Sequence, residues 1–142
     1  MAFMASRRKS RELALQMLFQ CEQGKHAPEH VLATFLRVQK ADPEALSFAR
    51  ELFEGTLADM SSLDRLIGGQ AANWRLERMA AVDRNLLRLA LYELLHHPET
   101  PAAVVIDEAL EIARRFSGDE SVDFVNGVLD GIRKSLVAKQ EG

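Results

Sequence analysis

Residues Ala81 to His96 are apolar around most of a helical circumference when read at about 100° per residue. Val82, Leu86, Leu87, Leu89, Ala90, Leu91, Leu94 and Leu95 cover the wide face. A helix this apolar belongs in the middle of a domain with other helices around it. One narrow polar stripe remains, in which Arg84, Arg88 and Tyr92 follow one another at i, i+4 with Asn85 and His96 beside them. No carboxylate lies three or four residues from either arginine along that stripe. Like charges at this spacing repel by a few tenths of a kcal/mol. Either an anionic partner meets them, or acids on a neighbouring helix do. The stripe is expected to be exposed.

The same periodicity predicts helices along the rest of the chain. Residues 1–5 carry no cap and no period and are expected to be loose. Ser6 or Ser10 is a candidate cap for a first helix whose apolar side runs through Leu13, Ala14, Leu15, Met17, Leu18 and Cys21, with Gly24 as its stop. Pro28 suits the first position of a second helix through Val31, Leu32, Phe35, Leu36 and Val38. Asp42-Pro43 starts a third, long pattern through Leu46, Ala49, Leu52, Phe53, Leu57, Met60, Leu63 and Ile67, with Gly55 as a candidate bend and Gly68-Gly69 as its end. Trp74 precedes a short helix through Leu76 and Met79. Asp83 is the expected cap of the central helix, and His97-Pro98 closes it. Thr100-Pro101 repeats the cap-then-proline signal before Val104, Val105, Ala109, Ile112, Ala113 and Phe116, and Ser117-Gly118 stops that helix. A last helix starts near Asp119 or Glu120 and runs through Val122, Val125, Val128, Leu129, Ile132 and Leu136. Gly127 and Gly131, four apart, are expected to admit a close helix neighbour in return for their poor helix propensity.

Composition narrows the class. The chain has 142 residues, 47% of them hydrophobic but only 6% aromatic. The shortage of aromatic and β-branched residues argues against a sheet, and the length fits one domain or two small subdomains. Net charge is −3, yet it is unevenly spread: residues 1–25 hold Arg7, Arg8, Lys9, Arg11 and Lys25 against Glu12 and Glu22. A local nucleic-acid site on an acidic body is compatible with that asymmetry. Cations in or before a first helical turn oppose the helix dipole, which also points weakly away from a structural role. Cys21 is the single cysteine, so neither an intrachain disulfide nor a cysteine-rich metal site is available. No apolar run reaches membrane-spanning length, and no signal peptide follows the early charges. The chain reads as a soluble cytoplasmic protein.

Catalytic patterns are missing. There is no glycine-rich phosphate loop, no nucleophile elbow, no cysteine–histidine couple and no dinucleotide fingerprint. His26 and His30 have one-face metal spacing but no third ligand at a suggestive distance. His96 and His97 read as residues favoured at a helix C-terminus. Asp107, Glu108 and Glu111 read as an exposed helical face. The positive signal is the basic run from Arg7 to Arg11, because short arginine-rich segments bind RNA through phosphate contacts and guanidinium stacking.

Four blocks resemble the NusB family, in its order and spacing. They are Arg7 to Phe19, Val82 to Leu94, Val105 to Ala109, and Phe124 to Asp130. Residues 24–75 match only in helical pattern. The resemblance implies an all-α fold of about seven helices in two stacked helical bundles. These form a single RNA-binding domain over residues 1–142, with an N-terminal bundle at about 6–70 and a C-terminal one at about 75–137. It implies a transcription antitermination factor, with no catalysis and no cofactor. That factor binds boxA-type single-stranded RNA together with the ribosomal protein NusE, and it joins the RNA polymerase elongation complex with other Nus factors to support transcription of ribosomal RNA operons. It leaves room for a homodimer and implies no membrane partner.

Carried onto this chain, Arg8 and Arg11 resemble the RNA contacts, with Arg7 and Lys9 in support, and Arg84 and Arg88 the second part of the same surface or its border with the partner. Phe19, Asp83, Glu120 and Phe124 match positions near the partner interface. Phe19 stands where some relatives carry Tyr, and Glu120 where the acid is Asp. The acidic stretch Asp107 to Asp123 suits a basic ribosomal protein. At about −0.7 per neutralised phosphate, four engaged cations correspond to a salt slope near about −3. Two other readings compete. One is a freestanding RNA-binding domain related to those fused to ribosomal RNA cytosine methyltransferases, since this chain has no cofactor-binding region of its own. The other is a helical adaptor that binds only protein.

Overall fold

The computed structural model describes residues 2–71 and 75–141, with side chains described for 7–71 and 75–139. Among these are seven α-helices, one short 3₁₀ turn and no strand. The helices are α1 (Ala2–Gly24), α2 (Pro28–Val38), α3 (Pro43–Ala58), α4 (Met60–Gln70), α5 (Ala81–His96), α6 (Ala102–Phe116) and α7 (Asp119–Glu141), with the 3₁₀ turn at Leu76–Arg78 between α4 and α5. Trp74 lies outside the described residues. The chain divides into two compact units, Met1–Ala58 and Asp59–Gly142.

In the first unit α1 packs on α3 and α2. The apolar period of α1 buries Leu13, Ala14, Met17 and Leu18, and that of α3 buries Ala45, Ala49, Leu52 and Phe53. Each large side chain so buried contributes about 1.5–3 kcal/mol. Helix α1 begins at Ala2, where a loose segment was expected, so Ser10 falls inside the helix instead of at its start. The Ser10 hydroxyl donates to the Ala45 carbonyl at 2.7 Å, tying α1 to α3. The basic run therefore lies one turn or more inside the helix, where the dipole penalty has largely decayed. Gly24 stays helical, and the left-handed residue that ends α1 is Lys25, with φ 54°. Asp42 caps α3 as expected: its Oδ1 accepts from the Ala45 N–H at 2.9 Å, with Pro43 at the first position.

The long third pattern breaks at Asp59 and not at Gly55, giving α3 and α4. Helix α4 groups with the second unit, so the division falls at residues 58/59 instead of near 70. Here α5 is central, packing on α4, α6 and α7. Its leucines Leu86, Leu87, Leu89 and Leu91 are buried with Leu63, Ile67, Val105, Ile112, Val125, Leu129 and Ile132. Helix α6 begins at Ala102. Pro101 itself occupies the cap position, and its carbonyl accepts from Val104 and Val105. At the other end the N–H groups of Ser117 and Gly118 both return to the Ala113 carbonyl, with Gly118 at φ 122°. No described helix is long and apolar enough to cross a membrane.

Candidate partner and nucleic-acid surfaces

Most of the polar stripe of α5 is covered, contrary to the sequence expectation, and only His96 at its end is exposed. Arg84 is 9% exposed, Asn85 1% and Glu93 1%. The Arg84 guanidinium donates through Nη1 to the carbonyl of Leu76 at 2.9 Å and to that of Met79 at 2.8 Å. One cation thus binds the first carbonyl of the 3₁₀ turn, which also accepts from the Met79 N–H, and the carbonyl of Met79 just after the turn. Arg88 donates from Nε to Asp64 Oδ1 at 2.7 Å and from Nη2 to Asp64 Oδ2 at 2.9 Å. It also donates to Asn85 Oδ1 at 3.1 Å. The acid on a neighbouring helix is therefore Asp64 of α4. Its distance from Arg88 along the chain hides it from helical periodicity.

The basic run of α1 divides by exposure. Arg8 and Lys9 are exposed and Arg7 is half-buried, its guanidinium carbon 3.6 Å from the centre of the Phe48 ring. Arg11 is turned inward, at 4% exposed. At helical spacing Arg8 and Arg11 are neighbours, but the apolar side of α1 starts at the Arg11 position.

Three of the four residues matched to a partner interface come together. Asp83, Glu120 and Phe124 line one hollow of about 310 Å³ with Arg78, Met79, Ala80 and Ser121. Helix α5 supplies Asp83 from its first turn, α7 supplies Glu120, Ser121 and Phe124, and the 3₁₀ turn with the two residues after it forms the third wall. Asp83 does not cap α5, because the helix starts two residues earlier. Its carboxylate accepts instead from Ser117 Oγ at 3.2 Å and Ser121 Oγ at 3.0 Å. The two hydroxyls, spaced i, i+4 across the start of α7, hold this acid from the far end of the sequence, and no local spacing signals the pairing. Glu120 is exposed at the rim and Phe124 is half-buried. Phe19 belongs to α1, where it is 37% exposed.

Elsewhere in the acidic stretch Asp107 and Glu111 are exposed, and Glu111 pairs with Arg114, whereas Glu108 is buried against expectation. Its position on the face of Val105 and Ile112 carries it inward. The His26 and His30 rings are 5.7 Å apart, and no group of three metal-capable side chains occurs among the described residues. His96 contacts Asp59 at 3.0 Å and stacks on Tyr92. Burial, and secondarily the Glu29 carboxylate, push the Cys21 thiol above its ordinary pKa.

The family model described as the NusB family matches residues 8–134. The chain belongs to the NusB family. It is 53% identical over 137 residues to the transcription antitermination protein NusB of Koribacter versatilis, covering 96% of this chain and 94% of that one. The NusB of Sorangium cellulosum is 49% identical, covering 94% and 95%. Among solved structures, NusB of T. maritima superposes with a TM-score of 0.82 at 39% identity, covering 90% of each chain. A crystal structure of the antitermination factors NusB and NusE with double-stranded RNA shares the fold, with a TM-score of 0.84 at 22% identity and coverage of 93% and 98%.

Proposed function

We propose that this NusB-family chain is a transcription antitermination factor. In this reading it docks the ribosomal protein NusE, and the pair holds boxA-type single-stranded RNA for the elongating RNA polymerase and other Nus factors in the cytoplasm. Its role is scaffolding. The observation that carries the reading is the hollow in which Asp83, Glu120 and Phe124 meet. An apolar ring beside exposed acid suits a basic partner with an apolar anchor. The relatives named above supply the rest.

Within this reading the six cations divide. Arg8 and Lys9, with Arg7, contact RNA from α1, where exposed cations can neutralise phosphates. Arg11, Arg84 and Arg88 serve by holding the helices that present the two surfaces. Phe19 adds an exposed aromatic contact to the partner surface.

The test is fluorescence anisotropy of a labelled boxA-type RNA against the chain, with and without NusE, at two salt concentrations. Tightening by NusE and loss on scrambling the RNA are the expected results. Sequence-independent binding in both conditions overturns the boxA reading, and no RNA binding at all leaves the protein-only adaptor.

A further inference from the structure

Helix α7 carries a glycine that its own packing does not require. A Cβ placed on Gly127 meets nothing within 4 Å, and the residue is exposed in mid-helix. Gly131, one turn later, differs: a Cβ there would strike the Gln70 side chain of α4. Glycine is the poorest helix former apart from proline. At Gly127 that loss has no compensating contact among the described residues.

The position indicates what the compensation is. The buried side of α7 consists of Val125, Val128, Leu129 and Ile132. Gly127 points away from it, three residues beyond Phe124 and seven beyond Glu120, on the side of the helix those two residues share. It therefore extends the rim of the hollow by one turn with bare backbone. Asp119, Glu120 and Asp123 are exposed on the same helix, so the flanking field is acidic.

We propose that Gly127 is a specificity-determining residue for partner docking. Its missing side chain admits the main chain of a basic protein segment directly onto α7, beside the Phe124 ring and the Glu120 carboxylate. This inference rests on the reading of the hollow as the NusE site. A methyl group at Gly127 stabilises the free chain but holds the partner off.

Gly127→Ala and Gly69→Ala test the idea together. Gly69 is likewise helical, exposed and without a neighbour within 4 Å of its Cβ position, but it lies on α4. Both substitutions are expected to raise the melting temperature, since each replaces a poor helix former in open space. Isothermal titration with purified NusE separates them. Gly127→Ala is expected to weaken binding by about tenfold or more, the cost of overpacking an interface, and Gly69→Ala to bind as the parent does. Binding to RNA without NusE is unchanged in both. If Gly127→Ala binds NusE like the parent while Phe124→Ala and Glu120→Lys weaken it, the role of the glycine is refuted and the hollow stands. If all three bind like the parent, the partner reading of the hollow falls as well.

Discussion

Arg88 of α5 and Asp64 of α4 face each other in a two-pronged pair, with Nε to Oδ1 at 2.7 Å and Nη2 to Oδ2 at 2.9 Å. The side chains are 12% and 30% exposed, so water screens the pair only in part. Charge-assisted hydrogen bonds of this kind contribute about 1.5–3 kcal/mol each when one partner is lost. Arg88→Ala is therefore expected to destabilise the chain by about 2–4 kcal/mol, and Asp64→Ala by a similar amount. The double substitution is expected to cost less than the sum, because neither charge is then stranded. Urea denaturation of the four proteins measures this. Additive losses would show that the two side chains do not act as a pair.

Arg84 works at closer range. Its guanidinium holds the carbonyls of Leu76 and Met79, and Arg78 and Met79 line the hollow that Asp83 and Phe124 share. Arg84→Met keeps much of the aliphatic volume and removes both bonds. Amide hydrogen exchange is expected to accelerate at residues 76–80 before it does in the core of α5. NusE affinity is expected to fall, because one wall of the hollow loosens. The RNA salt slope stays where it was. A drop in that slope would instead place Arg84 on the RNA.

The exposed cations of α1 give the opposite signature. With Arg8, Lys9 and Arg7 engaged, the salt slope of RNA binding is expected near about −2, at about −0.7 per phosphate. Arg8→Ala and Lys9→Ala are each expected to flatten it by about 0.7, Lys9→Ala with no change in melting temperature. Arg7→Ala also loses the contact with Phe48, worth about 0.5–1 kcal/mol, so it lowers stability as well as the slope. Arg11→Ala, a substitution at a buried position, acts on stability first. Anisotropy titrations across a salt series, paired with thermal melts, sort the four residues. A slope unchanged in both Arg8→Ala and Lys9→Ala would remove the basic run from the RNA site.

The helices were legible because α5, α6 and α7 share a 3.6-residue apolar period, which His97-Pro98 closes after α5 and Ser117-Gly118 after α6. The central helix ends at His96 as its period and His97-Pro98 imply, but it starts at Ala81, two residues before the expected cap Asp83. What periodicity cannot hold is distance along the chain. Asp64 answers Arg88 from another helix, and the Leu76 and Met79 carbonyls answer Arg84 from a 3₁₀ turn and the residue after it. From α5 alone, two arginines without nearby acids look like a site for an anion. The break at Asp59 was hidden for a related reason: Leu57, Met60 and Leu63 keep the apolar spacing across it, and no proline or glycine marks it. The grouping of Asp83, Glu120 and Phe124 came from family resemblance. The two serines that hold Asp83 lie 34 and 38 residues from it, so local spacing could not pair them with the acid.

The thiol of Cys21 supplies a pH-dependent check on the first unit. Burial is the main reason its pKa lies above the ordinary value, and the negative charge of Glu29 adds to it. The thiolate is the reactive form. At mildly alkaline pH the folded chain is therefore expected to react more slowly with iodoacetamide than the same chain in urea. Glu29→Gln removes the secondary cause, so it is expected to speed the folded reaction without matching the unfolded rate. The stability consequence has a fixed sign. In the unfolded chain the thiol ionises at lower pH, so above that pH the unfolded state binds fewer protons and stability falls as pH rises. Below it the contribution is complete and constant. Cys21→Ala is expected to remove this alkaline decline, which urea midpoints measured on either side of the thiol's titration would register. A folded chain that reacts as fast as the unfolded one would mean that the partly buried thiol is not shielded in the folded state.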